Sequence, residues 1–337
     1  MKKIKVAVLG ATGAVGEEIL ELLIERKFPY SEIKALASKK SAGKTLEVKG
    51  QKFIVEEASP EAFNDIDIAF FCAGGNVSLN LADEAVKRGA VVIDNTSAFR
   101  MNKDVPLVVP EVNPEDLKWH KGVIANPNCS TIIMAVALAP LEKHFGLDRV
   151  IVSTYQAVSG AGIKGMEELQ SEVLDPDYTP QVLPVASLPK HYQIAYNLIP
   201  QIDVFDKEGY TKEEWKMINE TRKMFHRDDL GITATTVRVP VMRCHSESVY
   251  VELKKDFTLD EVREVLAGAK GLIVQDDIEN QIYPMPLMLE KENDIYVGRI
   301  RKDLYNPRGL NFWVVGDQIR KGAALNAVQI GESMLAD

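Results

Sequence analysis

The sequence predicts an α/β protein of two domains, and three observations carry that prediction. The first part of the chain alternates short β-branched runs with helical stretches, the pattern of a parallel sheet with right-handed crossovers. The later part changes character. Its strand-like segments follow one another with few crossover helices between them, as in an α+β domain with a mixed, largely antiparallel sheet. The length of 337 residues fills two ordinary domains, and 46% hydrophobic with 26% charged residues is an ordinary globular composition that supplies a sizeable core.

Taken in order, residues 4–10 (IKVAVLG) form the first strand and residues 17–27 (EEILELLIERK) the first helix. The loop GATGAVG between them sets Gly10, Gly13 and Gly16 after a strand and before a helix, the context in which a glycine fingerprint carries meaning. Gly10 permits the tight turn, Gly13 lets backbone approach a pyrophosphate, and Gly16 allows close helix–strand packing. Thr12, Ala14 and Val15 complete the expected contact surface, where a helix N-terminus offers amide donors. This makes the first domain a Rossmann-type dinucleotide-binding domain. An NAD-preferring site usually shows an acidic residue about 20 residues on. Here that position falls in LASKKSAGK, where Ser38, Lys39, Lys40 and Ser41 offer hydroxyls and cations suited to a 2′-phosphate. NADP is therefore the expected cofactor, against the plain alternative of a solvated surface loop.

Residues 33–38, 66–73 and 90–96 read as further buried strands, and residues 76–89 as a helix closed by Gly89. The stretch IANPNCSTIIMAVALAPL (124–141) then brings Cys129 through an Asn-Pro-Asn turn to the mouth of an apolar helix, beginning at Asn128 or Cys129 and kinked at Pro140. Helix N-termini favour thiolates, and Asn128 with the first-turn amides sits where an oxyanion is held. A nucleophilic thiol beside a dinucleotide loop points to one chemistry: attack on an aldehyde or acyl phosphate, with hydride exchanged at the thioester or thiohemiacetal carbon. Cys72, inside an apolar strand, and Cys244 read as small buried hydrophobes.

Farther on, residues 149–159, 232–242 and 246–257 are strand-like, and residues 258–271 form a helix opened by a Thr258/Glu261 capping box. Proline-bearing loops occupy 175–189 and 280–286, and residues 320–335 read as a final amphipathic helix. Three scattered cysteines argue against a disulfide scaffold, for a reducing, cytoplasmic setting, and show no C-x-x-C metal spacing. The N-terminal apolar run is too short for a signal peptide, and no stretch approaches the roughly 18 apolar residues of a membrane helix. A net charge of −9 excludes nucleic acid and anionic membranes as partners, so any anionic substrate needs a local cluster of Arg and Lys.

Eight segments in order, GATGAVG, DNTSAFR, VPEVN, NPNCSTI, YQAVSGAG, RVPV, HSES and RKGAALNAVQI, make the chain resemble the aspartate-β-semialdehyde dehydrogenases nearly end to end. The resemblance implies NADPH-dependent reductive dephosphorylation of aspartyl phosphate to aspartate semialdehyde, a step toward lysine, threonine, methionine and isoleucine. It implies Cys129 as nucleophile, His245 as general acid/base and Gln156 as the residue orienting the acyl intermediate. Arg238 matches the substrate-carboxylate arginine, Arg100 a phosphate contact, Lys223 a second phosphate contact and Glu220 a carboxylate for the substrate ammonium. Arg222 stands next to Lys223 and leaves that assignment open by one residue, and Glu220 with Lys223 also fits a plain pair on one helix face. Gly74, Ser159, Gly162 and Asn326 match contacts on the nicotinamide side. The resemblance further implies a homodimer, with pairing into tetramers open, and a dinucleotide domain of residues 1–128 and 318–337 around a catalytic and dimerisation domain of 129–317.

Overall fold

The apolar runs of the first part become a parallel sheet, a form that requires cover on both faces. In the computed structural model, which describes residues 3–336, the chain divides into two units: Met1–Asn128 with Ala323–Asp337, and Cys129–Gly322. The second unit runs past its expected end at residue 317. Gln318 explains this, because its side chain accepts from the Cys244 amide at 2.8 Å and donates to Ser159.

The first unit holds seven strands in the order β3 (Thr45–Val48), β4 (Gln51–Glu57), β2 (Tyr30–Ala37), β1 (Ile4–Leu9), β5 (Ile68–Phe71), β6 (Val91–Asp94) and β7 (Val123–Ala125). All pairs are parallel except the β3–β4 hairpin. Its Lys49-Gly50 turn places both residues at positive φ, the twist that matches a two-residue hairpin. Helix α1 (Ala14–Glu25) buries Ile19, Leu20, Leu22 and Leu23, and α2 (Gly75–Lys87) packs on β6. The chain end returns as α7 (Leu325–Ala336), laying Leu325, Val328 and Ile330 into the same core as Val6, Val8 and Phe70. Arg26 grips Glu332 with Nε at 2.8 Å and Nη2 at 2.7 Å, a two-pronged tie between α1 and α7. The expected helix over 320–335 is shorter, because a π-turn occupies Arg320–Ala324 before α7 begins.

The second unit is built on α3 (Cys129–Phe145), β8 (Leu147–Gln156), α4 (Ile163–Leu174), α5 (Lys212–Phe225), β9 (Gly231–Arg238), β10 (His245–Leu253), α6 (Leu259–Ala267), β11 (Leu272–Val274), β12 (Ile295–Lys302) and β13 (Gly309–Gly316). The sheet order is β11-β12-β13-β10-β8-β9, antiparallel except for β8–β9 and β11–β12. Helix α3 is buried without a break from Ser130 to Leu138, as an all-round apolar helix must be, and packs on the sheet and on α5 and α6. It is continuous through Pro140. Strand β10 alternates: His245, Glu247, Val249, Val251 and Leu253 are buried, while Ser248 is exposed and Tyr250 half-buried. The capping box at Thr258/Glu261 opens α6 as read from the sequence. No helix among the described residues is long and apolar enough to cross a membrane.

Candidate active site and dinucleotide loop

Cys129 is the first residue of α3, so its thiol stands among the amides that an α-helix leaves without intrahelical partners. Its Sγ lies 3.5 Å from Nε2 of His245, the first residue of β10. The Ala157 amide donates to His245 Nδ1 at 3.1 Å. Because Nδ1 accepts, the ring proton belongs on Nε2, the nitrogen that faces the thiol. Complete burial, and next the Arg238 cation, push the His245 pKa down to about 3, with Glu213 opposing. The imidazole is therefore neutral at physiological pH and presents an N–H to the sulfur.

Gln156 and Arg238 reach the same place because β8 and β9 are parallel and in register, Gln156 opposite Arg238. Gln156 Oε1 accepts from the Thr154 hydroxyl at 2.9 Å, and its Nε2 donates to Glu213 Oε1 at 3.2 Å. The Arg238 guanidinium donates from Nη1 to the Ala157 carbonyl at 2.7 Å, while its buried Nε has no partner. Burial lowers the Arg238 pKa, with Glu213 and Cys129 acting against that shift. A buried guanidinium with an unmatched donor is suited to a carboxylate ligand. Gly160 closes over this pair: a Cβ there would stand 2.7 Å from Arg238 Nη1 and 3.3 Å from His245 Cε1.

The carboxylate and ammonium at this site come from the start of α5. Glu213 sits in the first turn, inside the Thr211/Glu214 capping box, and its Oε2 pairs with Lys216 Nζ at 3.0 Å. The residues expected from the sequence, Glu220 and Lys223, lie two turns farther along, about 10 Å down the helix axis. Glu220 is buried and Arg222 donates to the Leu230 carbonyl. This is a correction, and its cause is visible: α5 carries the spacing Glu-x-x-Lys twice, seven residues apart, so both copies fall on one face. The adjoining capping box is the signal that would have picked the first copy, since it marks the helix end.

Of the two other cysteines, Cys244 is buried and Cys72 half-buried. Cys72 donates to the Leu9 carbonyl at 3.0 Å, and burial pushes its pKa up to about 12; burial raises Cys244 as well. Glu247, on the same face of β10 as His245, was not singled out by the sequence. Both of its carboxyl oxygens are buried without partners, and burial raises its pKa far above the carboxylate range. Ser159 lies in a short 3₁₀ turn and Gly162 caps α4 at positive φ.

In the first unit, the glycine loop has the shape a dinucleotide needs. Gly10 has φ +91°, and a Cβ would meet the Ala73 nitrogen at 2.9 Å; at Gly16 a Cβ would lie 2.1 Å from the Gly10 carbonyl. Only glycine fits either place, so backbone and helix start are brought together. Gly13 is the N-cap of α1, with Ala14, Val15 and Gly16 in its first turn and Thr12 just before. The Gly10 and Ala11 amides donate to the Leu36 carbonyl, which sets the loop beside the end of β2. Ser38, Lys39 and Lys40 follow that end exposed, with Ser41 half-buried. Gly74 is the N-cap of α2 at φ +107°.

Arg100 is nearly buried, donating from Nε to the Asn126 carbonyl and from Nη2 to the Asn95 carbonyl, and Asn128 is also buried. Asn326 is the residue expected beside the nicotinamide. It is fully buried, and its amide nitrogen donates to the Val108 carbonyl at 3.0 Å and to Asn126 Oδ1 at 2.6 Å. Among the described residues no group of three or more His, Cys, Asp or Glu is placed to hold a metal ion.

A glycine-loop parallel sheet in one unit and a thiol–imidazole pair with a buried arginine in the other define a nicotinamide-dinucleotide dehydrogenase of two units. Comparison with known proteins narrows the class. Residues 5–120 match the family model "Semialdehyde dehydrogenase, NAD binding domain", and residues 138–321 match "Semialdehyde dehydrogenase, dimerisation domain". The chain is 55% identical over 334 residues to the aspartate-semialdehyde dehydrogenase of Bacillus subtilis, covering 98% of this chain and 96% of that protein. It is 54% identical to that of Campylobacter jejuni, covering 99% and 98%. A solved aspartate semialdehyde dehydrogenase II of Vibrio cholerae, complexed with ASA, superposes with a TM-score of 0.93 at 42% identity, covering 100% of this chain and 99% of that one. An enzyme of the same name from Candida albicans, solved with NADP, gives 0.77 at 26% identity, covering 99% of both. The chain belongs to the aspartate-semialdehyde dehydrogenase family, oxidoreductases of amino-acid biosynthesis.

Proposed function

We propose that the protein reduces L-4-aspartyl phosphate to L-aspartate 4-semialdehyde with NADPH, through a thioester on Cys129. The observation that carries this reading is the set of Cys129, His245, Gln156, Arg238 and Glu213, joined by the contacts described above. Arg238 takes the substrate α-carboxylate, and Glu213, in place of Glu220, faces its ammonium. The Cys129 thiolate attacks the acyl carbon, and Asn128 with the helix amides steadies the oxyanion. Phosphate leaves with the electrons of its carbon–oxygen bond, helped by Arg100 and by Lys216 in place of Lys223. Gln156 holds the acyl group in line. The dinucleotide, when bound on the glycine loop, supplies hydride to the thioester carbon. His245 donates a hydrogen bond from Nε2 to the oxyanion that develops there, and as that oxyanion collapses to the aldehyde carbonyl the carbon–sulfur bond breaks with its electrons on sulfur, which returns the thiolate.

The 2′-phosphate is read by Ser38, Lys39, Lys40 and Ser41, which stand where an NAD site would carry an acid. The family name "dimerisation domain" and the half-open face of the second sheet, with Ile151, Tyr155 and Trp313 on it, support a homodimer, and the three scattered free cysteines are the ground for placing it in the reducing cytoplasm. The test is NADP reduction with aspartate semialdehyde, with and without inorganic phosphate. Turnover should depend on phosphate, and Cys129→Ser should lose at least about a thousandfold in kcat while still binding NADPH. Near-normal turnover by that variant would remove the covalent route.

A further inference from the structure

We propose that three asparagines, the half-buried Asn95 and the buried Asn126 and Asn326, form a clamp that positions Arg100 for a phosphate group. The inference rests on the reading of Arg100 as an anion contact. Arg100 Nε donates to the Asn126 carbonyl at 2.9 Å, and Nη2 to the Asn95 carbonyl at 2.7 Å. Two donors on two carbonyls fix both the plane and the tilt of the guanidinium. Both carbonyls are neutral, so these two bonds aim the guanidinium without themselves neutralising it, while the Asp94 carboxylate lies within electrostatic reach.

The carbonyls are themselves held by side chains. Asn126 Nδ2 donates to Asn95 Oδ1 at 2.9 Å and to the Ala323 carbonyl at 3.2 Å. Asn95 Nδ2 donates to the Phe71 carbonyl at 3.2 Å. Asn326 Nδ2 donates to Asn126 Oδ1 at 2.6 Å and to the Val108 carbonyl at 3.0 Å. Each link in this chain needs a short group that donates and accepts at once, which is the property of an amide and of neither Asp nor Leu. Asn126 and Asn326 are both buried to within 1% of full cover, so water does not substitute for a missing partner. The last member of this hydrogen-bonded series, Asn326, comes from the returning C-terminal segment. That segment therefore helps to set the anion site as well as filling the core.

The experiment is steady-state kinetics in the phosphate-dependent oxidative direction for Asn126→Ala, Asn326→Ala and Arg100→Met, with arsenate as an alternative anion. Asn126→Ala and Asn326→Ala should each raise KM for phosphate about tenfold, while KM for semialdehyde and dinucleotide stays within about twofold. Arsenate should show the same rise. An equal rise in every KM, or a loss confined to kcat, assigns the amides a merely structural role and overturns the clamp. An unchanged phosphate KM in both asparagine variants, with a raised one in Arg100→Met, overturns the clamp alone. An unchanged value in Arg100→Met removes the anion reading of Arg100 and the clamp with it. Should an alanine variant not fold, the serine variant at the same position, which keeps a short donor, is read instead, by kinetics and by the phosphate-dependent rise in Tm.

Discussion

His245 illustrates how much at the residue scale depends on surroundings. Its folded pKa of about 3 lies below the ordinary 6.5, so between those values the unfolded chain binds a proton that the folded chain does not. Stability from this group is complete above about pH 6.5 and falls by about 1.4 kcal/mol per pH unit below it. His245→Asn should remove that slope, measured by denaturant unfolding at neutral pH and at about one and two units lower. An unchanged slope would mean the imidazole titrates in the folded state as it does in the unfolded one. The two Glu-x-x-Lys copies on α5 give the second prediction. Glu213→Gln should raise KM for aspartate semialdehyde about tenfold or more, the cost of one charge-assisted contact, and Glu220→Gln should leave it within about twofold. The reverse order would return the ammonium site to Glu220. Cys129, His245, Gln156 and Arg238 were each legible in the sequence through short motifs. Glu213, Lys216 and Glu247 were not, because a helix repeating its spacing, or a lone acid in a strand, announces no contact.

At the scale of elements, α4 does work that its sequence hides. Glu168 accepts the amides of Gln181, Val182 and Leu183 at 2.5, 2.7 and 2.9 Å. Glu172, one turn on, accepts those of Ile194 and Ala195 at 2.8 and 2.7 Å. Two carboxylates thus supply backbone partners to a proline-bearing segment with no helix or strand of its own. Glu168→Ala strips three amides, that of Leu183 buried, of their acceptor and should cost about 3 kcal/mol in unfolding free energy. Early proteolytic cleavage near residues 181–183 should accompany it, and a variant as stable and as resistant as the parent would refute the role. The elements themselves were unevenly legible. Strands β1, β5, β6, β8, β9 and β10 stand out as β-branched or alternating runs. The β3–β4 hairpin, β11, β12 and β13 do not. The first lies in a polar stretch, and GLNFWVVG in β13 lacks a clean alternation because its neighbours bury both faces unevenly.

For the whole molecule, the charge pattern sets the cofactor prediction. A net charge of −9 repels an anionic dinucleotide at long range, so a local cluster must supply the attraction. In the proposed reading Lys39 and Lys40, exposed beyond β2, are that cluster. kcat/KM should favour NADP over NAD, and Lys39→Glu should reduce the preference about tenfold or more. A parent enzyme that prefers NAD would end the 2′-phosphate reading.

By itself the sequence determined the two-part architecture, the glycine loop and the thiol at the helix mouth. These are written in local order: periodicity, turn residues and glycines that no other residue replaces. Only the tertiary structure decided which of two identical spacings on α5 meets Gln156, that His245 is neutral with its proton toward sulfur, and that Asn326 serves Arg100's supports. Those outcomes depend on through-space distances and on burial, and both are properties of the assembled units that no stretch of neighbouring residues encodes.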